Sequence, residues 1–475
     1  MPPARPEILR GPIPLPPGQL RSAIGSWPGP ALLEGGPATG EAGRWSILAA
    51  RPRRVVEATV GRGFRLRGGG FEAEVRLDPL DGLAALARDY HLARPGDEPD
   101  PDPDAPPFQG GLIGHLGYDL APTIERLPRR AAPDSRMPDL RFGLYDTFVL
   151  LDHRADTAEL WAVDLLGEGN ARLRRRWERW RGDLERPSTP SAPTPARLGG
   201  LQPGFAREGY LAAVERTLDY LRAGDIFQAN LSQRFTARGR VDPLALSLRL
   251  RQASPAPYSA FLAWDDLAIV GASPELFFQA RGDRVTTRPI KGTRPRSADP
   301  AEDARQVAEL AASAKDRAEL TMIVDLERND LGRVCRPGTV RVAEGRRVES
   351  FADVHHLVAT VEGRLRPDVG LAELIRAVFP GGSITGAPKI RAMQIIDELE
   401  PTRRGVYTGA VGYLGRRGQA AFNIAIRTIL VEGDRVSYQV GGGIVADSDP
   451  EAEYLETLHK GRSLRRVLEE LGDPR

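Results

Sequence analysis

The sequence has 475 residues, enough for a large buried core and for about three domains' worth of chain. Its 66 Lys and Arg residues and 64 Asp and Glu residues leave a net charge of +2, which excludes the strongly basic profile of a polyanion-binding protein. The single cysteine, Cys335, excludes a disulfide framework and a cysteine-based metal site within the chain. With neither a signal peptide nor a membrane-length apolar run, we expect a soluble, cytoplasmic protein.

The N-terminal part, residues 1–185, shows short strand-like runs broken by glycines and ends in one clear helix. The predicted strands and the helix that follows them span residues 44–50, 110–119, 144–152 and 171–185. Residues 186–204, which begin with a run rich in Pro, Ser and Thr, are predicted to form a linker.

The C-terminal part, residues 205–475, alternates helices with strands. Helices are predicted over residues 207–224, 242–253, 300–332, 369–380, 387–401 and 449–471. Strands are predicted over residues 260–266, 267–273, 275–290, 409–415, 420–433 and 435–445. Because neighbouring strands are joined by short turns, the pattern predicts an α+β fold in which antiparallel sheet is covered by helices.

Residues 288–296, Arg-Pro-Ile-Lys-Gly-Thr-Arg-Pro-Arg, place Lys291 in a glycine-containing turn among three arginines. Crowding by cations disfavours the charged lysine, so the pKa of Lys291 should fall and the free amine should become accessible as a nucleophile. The backbone of Gly292 and Thr293 could hold an anionic substrate. Taken alone, the segment is more typical of a basic surface turn.

Two predicted helices each carry a pair of carboxylates three residues apart. One pair is Asp316 and Glu319; the other is Glu453 and Glu456, with Lys460 four residues further on. This spacing puts both side chains of a pair on one helix face. If the four came together, a divalent cation would have to neutralise them, and oxygen-only ligands favour Mg²⁺. For either pair alone, a solvated helix face is the commoner explanation.

Three further residues are candidates for chemistry. His356 lies in an apolar strand-like run and could be a general acid, or equally a half-buried histidine without a role; His355 should point to the opposite face. Glu275 has an apolar context that would raise its pKa and suit acid and base work, although a glutamate in a turn after Pro274 explains it equally well. Arg427 is a lone arginine in an apolar strand, which favours an anionic partner such as a substrate carboxylate.

Taken together, these residues give the sequence a clear family resemblance. It resembles the chorismate-utilising enzymes, and within them component I of the aminodeoxychorismate synthases. The resemblance runs from about residue 225 to residue 465 and is weaker in the N-terminal part. Its most specific segments are RPIKGTRPR, FPGGSITGAPKIRAM, QVGGGIVADS and AEYLETLHKGR. It implies an anthranilate synthase component I-like fold, with antiparallel sheets packed as a sandwich and covered by helices.

The resemblance also implies an activity. This is the Mg²⁺-dependent amination of chorismate at ring carbon 4, giving 4-amino-4-deoxychorismate for 4-aminobenzoate and folate synthesis. The ammonia would come from a separate glutamine amidotransferase subunit. In this branch a lysine, here Lys291, is proposed to attack ring carbon 2 and expel the carbon 4 hydroxyl. Glu275 would act as acid and base, and His356 would assist departure of the hydroxyl.

The metal and substrate ligands follow from the same resemblance. Glu319 and Glu456 would bind Mg²⁺, with Asp316 and Glu453 supporting it through water or as outer ligands. The residues implied in substrate binding are Gly292, Thr293, Ser383, Tyr407, Arg427, Gly443 and Lys460.

Two positions separate the branches of the family. Anthranilate synthases carry alanine where this sequence has Lys291. Isochorismate and salicylate synthases carry a water-activating lysine where it has Gln228, which argues against both. Anthranilate synthase component I, of tryptophan synthesis, remains the alternative activity. A non-catalytic protein that kept the fold is disfavoured by the intact acidic pairs, His356 and Lys291.

The sequence also resembles the tryptophan-binding pocket of anthranilate synthases, through Leu33 and Glu34 and through Pro257 and Tyr258. Gly35 stands where serine is usual, and Ser259 stands where methionine is usual. The resemblance therefore implies a possible tryptophan pocket without predicting feedback inhibition by tryptophan.

Overall fold

The computed structural model describes residues 7–35, 43–90, 92, 105–186, 197–351 and 354–472. Most of the predicted linker lies outside the described residues. Ten α-helices are described within these ranges. Numbered in chain order, they are α1 (Pro17–Gly25), α2 (Pro79–Asp89), α3 (Asn170–Glu185), α4 (Arg207–Arg222), α5 (Pro243–Ala253), α6 (Pro300–Ala312), α7 (Ala314–Gly332), α8 (Leu371–Val378), α9 (Lys389–Leu399) and α10 (Pro450–Gly472).

The described strands are mostly short. In chain order they are β1 (Ile8–Pro12), β2 (Ala31–Glu34), β3 (Trp45–Ala49), β4 (Arg54–Thr59), β5 (Gly63–Gly68), β6 (Phe71–Val75), β7 (Gly111–Leu116), β8 (Leu140–Tyr145), β9 (Thr147–Asp152), β10 (Thr157–Val163), β11 (Arg197–Leu198), β12 (Gln202–Pro203), β13 (Gln228–Arg240), β14 (Tyr258–Trp264), β15 (Leu267–Ser273), β16 (Leu276–Arg281), β17 (Arg284–Arg288), β18 (Ile290–Pro295), β19 (Arg341–Ser350), β20 (Val354–Arg364), β21 (Gly386–Ala387), β22 (Ala410–Gly415), β23 (Ala420–Ile424), β24 (Thr428–Glu432) and β25 (Arg435–Ile444).

The strands form two sheets, of thirteen and twelve strands, whose neighbouring strands run antiparallel. The first has the order β1-β10-β9-β3-β2-β14-β15-β24-β25-β13-β11, with β12 and β21 also paired to β13. The second has the order β18-β20-β17-β16-β23-β22-β7-β8-β4-β5-β6, with β19 also paired to β20. The predicted α+β class is therefore confirmed.

Strands from both sides of the predicted linker share each sheet. In the first sheet β2 pairs with β14, and in the second β7 pairs with β22. The largest hydrophobic core contains side chains of both sheets, which places it between them, as in a sandwich. A second core lies where α1, α3, α5 and α10 pack on the first sheet. The two parts of the chain therefore build common sheets and a common core, while the predicted domain boundaries stay a prediction.

Helix starts are encoded locally in several places. Asp78, Asp242 and Asp299 each precede a proline, and each carboxylate accepts a backbone N–H of the first helical turn. This is the arrangement of an N-cap followed by proline at the first helical position. Helices α2, α5 and α6 begin at these residues. None of the described helices is both long enough and apolar enough to cross a membrane.

Four predicted elements are divided in the structure. The strand predicted over 144–152 breaks at Asp146, between β8 and β9. The helix predicted over 300–332 is broken at Ser313, whose extended backbone ends α6 and whose side chain caps α7. The strand predicted over 275–290 is a hairpin of two strands. The strand predicted over 420–433 breaks at Arg427, where the chain passes from the second sheet to the first. Arg427 therefore lies in a kink with φ +49°, and its predicted place within a strand was wrong.

Candidate active site

Lys291 lies on β18, at an edge of the second sheet, and its side chain is partly buried. Its Nζ donates a hydrogen bond of 3.1 Å to the backbone carbonyl of Ser383. The pKa of Lys291 is lowered, chiefly by burial, while the carboxylates of Glu275 and Glu319 oppose the shift. The free amine is therefore more accessible than that of an ordinary lysine.

The direction of this pKa shift agrees with the sequence-based prediction, but the predicted cause is wrong. Burial lowers the pKa of Lys291, and the only cation that contributes appreciably is Lys460 on α10. The arginines of the segment are neutralised by carboxylates. Arg288 pairs with Glu349, Arg294 with Glu309 and Arg296 with Asp303.

Glu275 lies beside Lys291 and is 5% exposed. Its Oε1 accepts the backbone N–H of Ile290 at 3.4 Å, one residue before the lysine. Burial raises the pKa of Glu275, against the hydroxyl of Ser383 and the charge of Lys291. A buried carboxyl group that holds its proton more tightly than usual is suited to acid and base work next to an amine.

His356 lies on β20, and its Nδ1 is 2.9 Å from the hydroxyl of Thr293. Its Nε2 is buried without a hydrogen-bond partner among the described residues. The pKa of His356 is lowered to about 3, first by burial and then by the charge of Arg427. His356 is therefore neutral near pH 7 and offers hydrogen bonds rather than a charge. His355 points the other way, to Ser350 and Asp303, as predicted.

The two carboxylate pairs come from α7 and α10 and influence each other. The pKa of Glu319 is raised by burial, and the charges of Asp316 and Glu456 raise it further. The pKa of Glu453 is also raised by burial, with Glu456 contributing. Burial alone would raise the pKa of Glu456. The charge of Lys460, whose Nζ lies 2.6 Å from Oε1 of Glu456, opposes burial, and the pKa of Glu456 is lowered. Acidic groups of the two helices therefore act on one another electrostatically.

Two glycines make room for these acidic side chains. A Cβ on Gly442 would lie 2.9 Å from Oε2 of Glu453 and 3.6 Å from Oε1 of Glu456. A Cβ on Gly292, whose φ is +75°, would lie 2.8 Å from Cγ of Asp316. The glycines thus let the carboxylates approach the backbone of β25 and β18. Within the described part of the chain, no three His, Cys, Asp or Glu side chains lie close enough to surround one metal ion.

Gln228 and Gly443 lie side by side on the paired strands β13 and β25. Gln228 is fully buried, and neither atom of its amide has a partner in the described ranges. A Cβ on Gly443 would lie 2.2 Å from Nε2 of Gln228, so a larger residue there would have to push the Gln228 amide aside. Asn230, two residues along β13, donates to the carbonyl of Ser383 at 3.2 Å. A buried amide without a partner is uncommon in folded proteins, and this one lies against Gly443.

Tyr407 and Arg427 lie at the margin of this group. Tyr407 is 8% exposed, and its ring centre is 5.8 Å from the guanidinium of Arg404. Arg427 contributes electrostatically to the lowered pKa of His356. The contacts described thus bring Lys291, Glu275 and Ser383 together directly. Glu319, Glu456 and Lys460 act on Lys291 electrostatically.

A cavity of about 370 Å³ lies between the sheets. It is lined by all four residues of the predicted tryptophan pocket, Leu33, Glu34, Pro257 and Tyr258. The Glu34 carboxylate is held at one side by Arg21 and, at 3.2 Å, by Arg251. Arg288, which precedes Lys291 by three residues in the sequence, also lines this cavity.

Residues 42–466 match the family model of the chorismate binding enzymes. The chain belongs to this family. The match begins after β1, α1 and β2, so it leaves out Arg21, Leu33 and Glu34. It includes Lys291, Glu275 and the acidic residues of α7 and α10. The predicted family is therefore confirmed.

Relatives of this chorismate-binding enzyme carry two names. The chain is 44% identical over 450 residues to aminodeoxychorismate synthase component 1 of Klebsiella aerogenes, covering 95% of each chain. It is 42% identical over 435 residues to anthranilate synthase component 1 of Thermus thermophilus, covering 90% of each. Among solved structures, anthranilate synthase component I from Streptococcus pneumoniae TIGR4 matches with a TM-score of 0.79 at 33% identity, covering 90% of this chain and 93% of that one.

Sequence reasoning used Gln228 only to separate branches and overlooked Asn230, Glu327 and Arg404. Gln228 and Asn230 lie on a thirteen-residue strand, β13, that periodicity did not predict. Glu327 is buried and bonds to Thr287, 40 residues away. Arg404 is buried and bonds to Glu400 four residues away, but also to carbonyls 20 and 174 residues away. A charged residue inside an otherwise apolar helix face is the one local signal that could have drawn attention to Glu327.

Glu327 gives a prediction about stability. It lies on α7, is 8% exposed and accepts a hydrogen bond of 2.5 Å from Thr287. Burial raises its pKa from 4.5 to about 8, with Glu275 and Asp330 adding to the shift. The folded protein thus binds this proton between pH 4.5 and pH 8 while the unfolded chain does not, so stability falls as pH rises through that window.

Glu327→Gln is neutral at every pH and should remove this penalty. We expect it to raise the free energy of unfolding at high pH by roughly 1–3 kcal/mol and to change it little at low pH. Urea unfolding of variant and parent at about pH 5 and pH 8.5 measures the difference. Asp325→Asn, an exposed change on the same helix, is the control. An equal gain at both pH values would contradict the prediction.

Proposed function

We propose that this protein aminates chorismate at ring carbon 4 to give 4-amino-4-deoxychorismate, as component I of an aminodeoxychorismate synthase. The observation that carries the proposal is the partly buried amine of Lys291, whose pKa is lowered and which lies beside Glu275. The relatives with this name support it. The alternative is anthranilate synthase component I, the name of other relatives at similar identity.

In the proposed reaction, Nζ of Lys291 bonds to ring carbon 2 while the bond between carbon 4 and its hydroxyl breaks. Glu275, whose burial favours its protonated form, supplies the proton with which the hydroxyl leaves as water. Neutral His356 donates a hydrogen bond to the departing oxygen. Ammonia then bonds to carbon 4, the bond between carbon 2 and Nζ breaks, and the lysine amine is restored.

The acidic residues suit Mg²⁺ chemically, since all their donors are oxygens and two glycines open the backbone toward them. Glu319 and Glu456 would hold the ion, with Asp316 and Glu453 supporting it. When bound, Mg²⁺ would neutralise the ring carboxylate of the substrate and fix its position. In the absence of Mg²⁺, Lys460 stabilises the ionised carboxylate of Glu456.

The rest of the substrate would be held by backbone and side-chain donors around this centre. The carboxylates need hydrogen-bond donors and positive charge, which glycine amides, lysine and arginine provide. The proposed ligands are Gly292, Thr293, Ser383, Tyr407, Arg427, Gly443 and Lys460. Gln228 would offer its unpaired amide to the same site.

We further propose that ammonia comes from a separate glutamine amidotransferase subunit. The relatives are named as component 1, which implies a second component. The product would then serve the synthesis of 4-aminobenzoate and folate.

We propose that the cavity between the sheets binds tryptophan and that this binding does not inhibit the enzyme. Its lining by Leu33, Glu34, Pro257 and Tyr258 supports an aromatic amino acid. We expect calorimetry to detect tryptophan binding and the initial rate with chorismate to stay unchanged at saturation. Phenylalanine serves as the control ligand. Absence of binding, or inhibition that follows the binding curve, would contradict this proposal.

The activity itself is tested with chorismate, Mg²⁺ and excess ammonium, without any glutaminase. Half of each reaction then receives an aminodeoxychorismate lyase. 4-Aminobenzoate that forms only with the lyase supports the proposed function. Fluorescent anthranilate that forms without the lyase would overturn it in favour of the alternative.

A further inference from the structure

Glu400 and Arg404 form a buried ion pair between α9 and β22. The two residues are 4% and 2% exposed. Arg404 Nε donates to Oε2 of Glu400 at 2.9 Å, and Nη2 donates to Oε1 at 2.7 Å. Such a two-point contact fixes the plane of the guanidinium as well as its position. The proposed reaction assigns no role to either residue.

The guanidinium also binds two separate parts of the chain. Nη1 donates to the carbonyl of Ile384 at 3.1 Å and to the hydroxyl of Thr408 at 3.3 Å, and Nη2 donates to the carbonyl of Asn230 at 2.6 Å. With the two bonds to Glu400, all five N–H donors of Arg404 are engaged. Lysine, with one nitrogen and three donors, cannot reproduce this set.

The bound carbonyls belong to neighbours of the active-site residues. Ile384 follows Ser383, whose carbonyl accepts the hydrogen bond from Lys291. Asn230 lies two residues after Gln228 and donates to that same Ser383 carbonyl. One buried cation thus joins the loop at Ser383, whose carbonyl accepts from Lys291, to the strand β13.

Glu400 anchors this cation to the first sheet. Its Oε1 accepts both the backbone N–H of Ser232, at 2.9 Å, and the hydroxyl of Ser232, at 2.6 Å. The ring of Tyr118, from the N-terminal part, lies 4.8 Å from the Arg404 guanidinium on another side. The pair is therefore held on several sides, and motion of Arg404 would be transmitted to the loop at Ser383.

We propose that the Glu400–Arg404 pair is a positioning unit that sets the orientation of Lys291 and Gln228 through the loop at Ser383 and the strand β13. Neither residue acts on the substrate directly. One test of this inference, the change in kcat, rests on the proposed function. The other, the chemical reactivity of Lys291, does not depend on it.

The test compares Arg404→Lys with Arg141→Lys. Arg141 is likewise 2% exposed and ion-paired, at 3.0 Å to Asp265, but lies in the N-terminal part on β8, among residues with no contact to Lys291. With ammonium and Mg²⁺, we expect Arg404→Lys to lower kcat for chorismate about 30- to 100-fold and to change KM less than about threefold, since small misplacements of reacting groups have effects of this size. Arg141→Lys should leave both within about twofold.

The second readout is the rate at which acetic anhydride labels Lys291, measured by peptide mass spectrometry. We expect Arg404→Lys to change that rate at least about threefold while the rate at Lys315 stays constant, because only Lys291 depends on the Ser383 carbonyl. Glu400→Gln, which keeps the shape of the side chain, should shift both readouts in the same direction. It replaces Arg404→Lys if that variant does not fold.

The outcomes separate the two ideas. A changed label at Lys291 in an enzyme that makes no aminodeoxychorismate would sink the proposed function and leave the positioning role standing. Unchanged labelling and kcat in Arg404→Lys would overturn the positioning role. So would equal losses of activity in Arg404→Lys and Arg141→Lys that follow their loss of folded protein, since the pair would then be a structural ion pair only.

Discussion

Lys291→Ala is expected to lower kcat for the ammonium-dependent amination of chorismate at least about 1000-fold, because it removes the proposed nucleophile. Lys291→Arg should be as inactive, since it keeps a positive charge that cannot be given up at neutral pH. Arg296→Ala is the matched control from the same segment. Its ion pair with Asp303 is at the surface, where such pairs contribute little, so activity should stay within about twofold.

The covalent role of Lys291 has its own measurement. The sequence has lysines at four positions, Lys291, Lys315, Lys389 and Lys460, so an adduct can be assigned by peptide mapping. The parent enzyme is incubated with chorismate and Mg²⁺ but without ammonium, and is then quenched. We expect it to carry chorismate-derived mass on Lys291 alone. Loss of amination in Lys291→Ala without any adduct in the parent enzyme would leave Lys291 as a base and exclude it as a nucleophile. Full activity of Lys291→Ala would exclude both.

The second large effect concerns the acidic residues of α7 and α10. Glu319→Gln and Glu456→Gln should each lower kcat/KM for chorismate at least about 100-fold and raise the Mg²⁺ concentration for half-maximal rate, because each removes a proposed ligand. Asp316→Asn and Glu453→Gln should have smaller effects, of about tenfold, if they support the ion from outside.

Mg²⁺ titrations of rate and of binding heat measure these effects. Excess EDTA should abolish activity, and added Mg²⁺ should restore it. Glu469→Gln, an exposed change further along α10 that pairs with Arg465, is the control and should leave the titration unchanged. Activity that survives EDTA, or a Glu456→Gln enzyme with the parent Mg²⁺ dependence, would contradict the metal site.

Several local features of this protein could be predicted from its sequence. The helices predicted from residues 242 and 300 do start at Asp-Pro pairs, and spacing of three residues put each carboxylate pair on one helix face. Strand alternation correctly separated His355 from His356. These predictions depend only on neighbours within a few residues, where the geometry of helix and strand is fixed by the backbone.

Predictions that crossed between the sheets were less successful. Residues 144–152 and 420–433 look like continuous strands, but the chain changes sheet at Asp146 and at Arg427. Asp146 is buried there between Arg53 and Arg176, which belong to other elements. Apolar periodicity continues across such a crossing because both flanking strands face the same core.

The sequence by itself determined the chemical groups of the site and the family to which they belong, since these are properties of short segments in a fixed order. Only the tertiary structure decided what surrounds each group. Lys291 has a lowered pKa through burial and not through its arginines, each of which is ion-paired with a carboxylate. Arg404 is held by partners up to 174 residues away. Burial and pairing depend on contacts between distant segments, and no local pattern records them.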